Sequence, residues 1–241
     1  MSGTCPGMPR SMKRGLLTGV AAAAVLGAGI RLVHRQGQRL LHPDGRTYSG
    51  ELRVPGGAGT GSALLDRPAR HPITVRVSKG IGTEPGRYDI LGLAVRVHGP
   101  VAGHRTDLLF STCGAGRALR HVPALRRDFS TTYGSILAYR SGTGRKFYLA
   151  ARPAPGSEDL GGTLESVTAT AAKDGALFEI RADERTVAEL CFGQELPEST
   201  DAALAFNPID NVTADLHPVG LIHHSRALAY RWSQRWRGLP V

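Results

Sequence analysis

Short apolar runs recur through residues 48–192, separated by glycine, proline and aspartate. That punctuation belongs to strands joined by tight turns rather than to long helices. Residues 48–54 alternate apolar and polar as a half-buried strand, and 73–78, 90–97 and 107–112, rich in valine, leucine and isoleucine, are further strands. Runs at 136–139, 147–151, 164–171, 177–181 and 187–192 follow at hairpin-like spacing. Residues 117–127 are expected to form a short basic helical connection, and 222–238 a terminal helix. The glycine-rich stretch 56–61 lacks a following Lys-Ser/Thr pair and a helix, so it is read as a turn and not a phosphate cradle. Without alternation of strands and helices, the pattern predicts a mainly β protein, a closed antiparallel barrel of about eight strands with short connecting helices. Closure removes the sheet edges and leaves an interior or a mouth for a ligand.

Ahead of the strands, residues 1–34 form a basic leader, with 35–241 as the barrel domain. Lys13 and Arg14 precede an uncharged stretch at 15–30, and Arg31 follows it. As a helix this stretch spans about 24 Å against the roughly 30 Å of a bilayer core. It is expected to be a signal sequence or a membrane anchor, placing the protein at a membrane or outside the cytoplasm. If it packs on the barrel instead, the protein is cytoplasmic.

The 241 residues suffice for one sizeable core. Four units of the net charge of +10 lie in the leader. The surplus on the rest suits arginines partnered to carboxylates or an acidic membrane surface. No basic patch interleaved with aromatics accompanies it, which argues against nucleic acid. Cys5, Cys113 and Cys191 define neither a disulfide framework nor a haem-attachment signal, and are read as buried or free thiols. His223 and His224 are adjacent, so their side chains diverge and do not make a metal pair.

The 222–238 helix carries the clearest candidate chemistry. Successive helical residues turn by about 100°, which brings Arg226, Tyr230 and Arg237 to within roughly 40° of one face. A guanidinium one turn away favours the tyrosine phenolate, a hard anionic ligand suited to ferric haem. Arg226-x-x-x-Tyr230 with Arg235 and Arg237 resembles the proximal haem-ligand helix of the haem catalases. Four further patches resemble that superfamily in the same order. Arg39-Leu40-Leu41-His42 with Gly45 and Gly50 is similar to the distal motif, and Thr74-Val75-Arg76-Val77-Ser78 to the strand that follows it. Residues 89–95, beginning Asp-Ile-Leu-Gly, resemble the next strand, and Ala205-Phe206-Asn207-Pro208 the turn ahead of the ligand helix.

The resemblance implies a minimal, catalase-related haem protein in which Tyr230 binds iron and Arg226 holds it as phenolate. Arg39, Arg76 and Arg237 would neutralise the haem propionates. His42 would be the distal acid and base, oriented by Ser78. The family's distal asparagine is replaced, since Asp107-Leu108-Leu109-Phe110 is followed by Ser111, Thr112 and Cys113. Thr112 or Ser111 would substitute in part, with one hydroxyl donor for the amide's two. The implied activity is peroxidase-like processing of hydrogen peroxide or an organic hydroperoxide by a stripped core without the wrapping arm and helical domain, and it leaves room for a homo-oligomer. The alternative is a haem-free barrel that binds an apolar ligand or lipid at a membrane surface. A hydrolase would need a metal cluster or an activated nucleophile, and no spacing of serine, histidine and acid supplies one.

Overall fold

The computed structural model describes residues 42–219, apart from 102 and 115. The leader, Arg39, Arg226, Tyr230, Arg237 and the expected 222–238 helix lie outside the described residues. The chain divides into Met1–Leu41 and His42–Val241, and the described residues belong to the second unit.

The strands are β1 (Asp44–Val54), β2 (Ala69–Lys79), β3 (Leu91–His98), β4 (Arg105–Thr112), β5 (Tyr133–Ser141), β6 (Lys146–Pro153), β7 (Leu177–Ala182), β8 (Arg185–Glu195) and β9 (Leu216–Val219). Four short helices interrupt them: α1 (Ala63–Asp66), α2 (Gly116–Leu119), α3 (Leu164–Ala171) and α4 (Glu198–Ala203). β1 pairs antiparallel with β2 from Asp44↔Lys79 to Val54↔Ala69, and on its other edge with β8. The sheet continues through β3 to β4 on one side and through β7 and β6 to β5 on the other. Ser111↔Gly134 and Thr112↔Tyr133 join β4 to β5 and close an eight-stranded antiparallel barrel, with β9 added outside along β5.

Eight strands leave an interior just wide enough to be filled by side chains, and here it is filled. Tyr48 stacks tilted on Phe192 with ring centroids 5.3 Å apart, Phe192 on Phe178 at 5.8 Å, and Tyr133 meets Phe178 edge-on at 5.9 Å. Val75, Val77, Leu93, Val95, Leu108 and Leu149 pack among them, all buried. The lumen is therefore a packed core.

Two local expectations need correction. Residues 164–171, read as a strand from their valine and threonines, form helix α3. Thr163 caps it: the Thr163 hydroxyl accepts from Ser166 N at 3.1 Å and the Ser166 hydroxyl from Thr163 N at 3.2 Å. Val167, Thr170 and Ala171 are its buried residues, a helical spacing. The expected basic helix over 117–127 shrinks to α2, because the chain then bends back and Pro123 bridges Cys113. Among the described residues no helix is long and apolar enough to cross a membrane.

Candidate functional site: a polar outer face on β1–β4

Strand alternation ordinarily gives one dry face and one wet face. β2 departs from this, since every residue from Thr74 to Lys79 is buried. Val75 and Val77 point into the lumen, so Thr74, Arg76 and Ser78 lie on the outer face. Pairing places Gly45 and Thr47 of β1, Gly92, Ala94 and Arg96 of β3, and Asp107, Leu109 and Ser111 of β4 on the same side. Buried polar groups must be partnered, and their partners build the site.

At one end His42 packs over this face. Its N–H donates to Gly80 O at 3.1 Å and its Nδ1 lies 2.9 Å from Ser78 Oγ. The ring covers Gly92: a Cβ there would sit 2.5 Å from His42 Cε1, 2.6 Å from Nδ1 and 2.8 Å from Ser78 Oγ. Glycine in a strand interior marks such a close approach. His42 itself has φ 59, a left-handed conformation uncommon outside glycine and typical of positions held by their surroundings. Asp89, fully buried, supports this end by accepting from the N–H groups of Ile81, Thr83 and Ile90 and from the Thr83 hydroxyl at 2.7–3.0 Å. It fixes the loop whose Gly80 receives His42.

Arg76 lies two residues along β2, its side chain only 4% exposed. Its Nε donates to Asp201 Oδ1 at 2.7 Å and a terminal nitrogen approaches Oδ2 at 3.4 Å. Thr47 Oγ1 donates to the same Oδ1 at 2.5 Å. Gly45 makes room for the guanidinium, because a Cβ there would lie 2.5 Å from Arg76 Cζ. The second glycine of the motif, Gly50, abuts Cys191 O where the β1–β8 register shifts. Farther along, Arg96 grips Asp107 through Nε at 2.8 Å and a terminal nitrogen at 2.7 Å, donates to Ala205 O at 2.6 Å and stacks over the Phe206 ring at 5.0 Å. Asp107 also accepts from Asn207 N and Asn211 Nδ2, each at 2.7 Å. The Ala205–Pro208 turn is thus pinned to the sheet.

Thr112 does not join this site. It pairs with Tyr133 on the lumen side, is fully buried, donates to Ala124 O at 2.6 Å and accepts from Leu91 N at 3.0 Å. Of the two hydroxyls considered, Ser111, paired with Gly92, is the one on the His42 face. Cys113 shares that parity and is close to Gly134. Burial pushes its thiol above the ordinary cysteine range, with Gly134 N–H and the arginines at 126 and 120 only partly offsetting it. This upward shift lowers the share of thiolate, the nucleophilic form. The structure brings together His42, Ser78 and Arg76 of the expected set. Gly92 was legible as a glycine inside a strand, whereas nothing in the local sequence pointed to Asp201 or Thr47. Among the described residues no cluster of histidine, cysteine or acidic side chains has metal-binding geometry.

Two solved structures share this architecture. A bacterial catalase superposes with a TM-score of 0.62 at 12% identity, over 98% of this chain and 63% of that one. A fungal catalase superposes with a TM-score of 0.60 at 14% identity, over 100% of this chain and 65% of that one. The chain thus spans just under two thirds of the length of either catalase. No protein-family model and no curated sequence matches it. The fold is catalase-like, a closed eight-stranded antiparallel barrel with one strand outside and a few short helices.

Proposed function

We propose that this protein is a haem-dependent enzyme that processes hydroperoxides by peroxidase-like chemistry. The observation that carries the reading is the His42–Ser78 pair laid over Gly92, one strand step from the buried carboxylate-binding Arg76. The residues present fit haem on two counts. Arg76 already holds a carboxylate in paired geometry, the chemistry a propionate offers, and the glycine at 92 lets an imidazole lie flat where a side chain would block it. Arg39 and Arg237 would complete the propionate partners, and Tyr230, set by Arg226, would be the iron ligand. When bound, haem would supply the redox-active iron that takes up the oxidising equivalents of a cleaved O–O bond.

The chain's own residues manage the proton. Ser78 engages His42 Nδ1 and fixes the ring's orientation, so proton exchange with a hydroperoxide falls to Nε2. A neutral imidazole can take the proton from one peroxide oxygen and return it to the other. Ser111, whose hydroxyl donates to Leu91 O at 3.3 Å, would have to turn from that carbonyl to give a peroxide one hydrogen bond, where an amide would offer two donors. That favours an organic hydroperoxide or a reducing co-substrate over rapid disproportionation of hydrogen peroxide.

The test is the absorption spectrum of the full chain from haem-replete cells, beside Tyr230→Phe and His42→Ala. The expected result is a ferric tyrosinate-type Soret band that is lost in Tyr230→Phe and kept in His42→Ala, with hydroperoxide turnover falling at least about a hundredfold in the latter. Absence of haem after reconstitution would refute the reading.

A further inference from the structure

The partner of Arg76 is internal. Asp201 reaches it across 125 residues of chain and takes one edge of the guanidinium, Nε and Nη2, in the paired geometry a carboxylate ligand would use. Asp201 belongs to α4, a six-residue helix with no buried residue and no side-chain cap at its N-terminus, Pro197. The helix follows directly on Leu196, whose N–H donates to Thr47 O at 2.7 Å, and Asp201 ties it to the strands through Thr47 and Arg76. An element that buries no apolar side chain and is anchored by a carboxylate can be released at little hydrophobic cost. Arg76 cannot be left alone so cheaply, because a buried unpaired charge is strongly unfavourable.

We propose that Asp201 is a displaceable internal carboxylate, a latch that keeps Arg76 paired until an external carboxylate takes its place, whereupon α4 moves off the outer face. This rests on the haem reading above and makes the external carboxylate a haem propionate. Exchange of one carboxylate for another keeps the guanidinium satisfied throughout. The latch therefore protects the unloaded protein and lowers its apparent haem affinity by the fraction of time that α4 is released.

The test is a haemin titration of the unloaded full-length chain, wild type against Asp201→Asn, followed by absorbance. It is paired with amide hydrogen exchange over residues 196–204 with and without haemin. Asparagine keeps an oxygen for the Thr47 hydroxyl and removes the charge that holds Arg76. The expected result is at least about tenfold tighter haemin binding by the variant, together with faster exchange in 196–204 when the wild type binds. Equal or weaker binding by the variant, or no rise in exchange, overturns the latch while the haem reading stands on the wild-type spectrum. If neither protein binds haemin, both fall. Should Asp201→Asn not fold, Thr47→Val removes one of the anchors of Asp201 and leaves Arg76 intact. Tighter binding is again expected, and unchanged or weaker binding overturns the latch.

Discussion

Residue 92 shows how much of a site is set by what a side chain lacks. The His42 ring occupies the place a β-carbon would take, with its nearest atom 2.5 Å from that position. Gly92→Ala is expected to fold with a loss of about 1–3 kcal/mol, typical of overpacking, because the ring or the strand must shift. If His42 carries the proton, hydroperoxide turnover falls in step with that displacement, by at least about tenfold, while haem binding persists. Thermal melts and initial rates on the loaded protein check this. Unchanged turnover would mean that the imbalance is absorbed elsewhere and that the ring's placement does not matter to the chemistry.

Helix α3 was misread from sequence for a definable reason. Leu-Glu-Ser-Val-Thr-Ala-Thr-Ala mixes β-branched residues with helix formers, and short runs of this kind do not separate the two periods. The reciprocal cap is present, but with serine at the position where glutamate or glutamine makes the signature recognisable. Once Thr163 and Ser166 satisfy two terminal N–H groups, the helical spacing of Val167, Thr170 and Ala171 decides the outcome by burying them. Thr163→Ala is expected to cost about 1 kcal/mol, a fall of roughly 2–4 °C in Tm for a domain of this size. Calorimetry on the single variants and on Thr163→Ala/Ser166→Ala, whose losses should be less than additive because the two side chains form one motif, tests the cap.

At the scale of the molecule, the barrel's outer face is held by buried charge rather than by grease. Asp107 joins β3, β4 and the segment 205–211 by accepting from Arg96, Asn207 and Asn211. Asp107→Asn would strand the Arg96 guanidinium, whose side chain is only 7% exposed, at an expected cost of about 3–5 kcal/mol. Urea unfolding should show the lower midpoint, and amide exchange in 205–211 should rise as the turn loosens. The exposed pair of Glu51 and Arg53, 2.6 Å apart, provides the contrast. Breaking it should leave the midpoint almost unchanged, since water solvates both partners.

The eight barrel strands, their hairpin order and the closed barrel were legible, because alternation and turn residues are local properties of the chain; helix α3 and the outer strand β9 were not. His42, Ser78 and Arg76, which fall in short motifs, were legible too. The choice between Ser111 and Thr112 was not. Adjacent residues in a strand face opposite ways, and only the pairing of Gly92 with Ser111 says which one shares the face that His42 covers. Nor could the sequence couple Arg76 to Asp201, because a contact between residues 125 apart exists only when the barrel closes and α4 folds back over it. Local pattern determined the scaffold, and tertiary packing decided which polar groups meet on its outer face, because a buried charge takes the partner that folding places within reach.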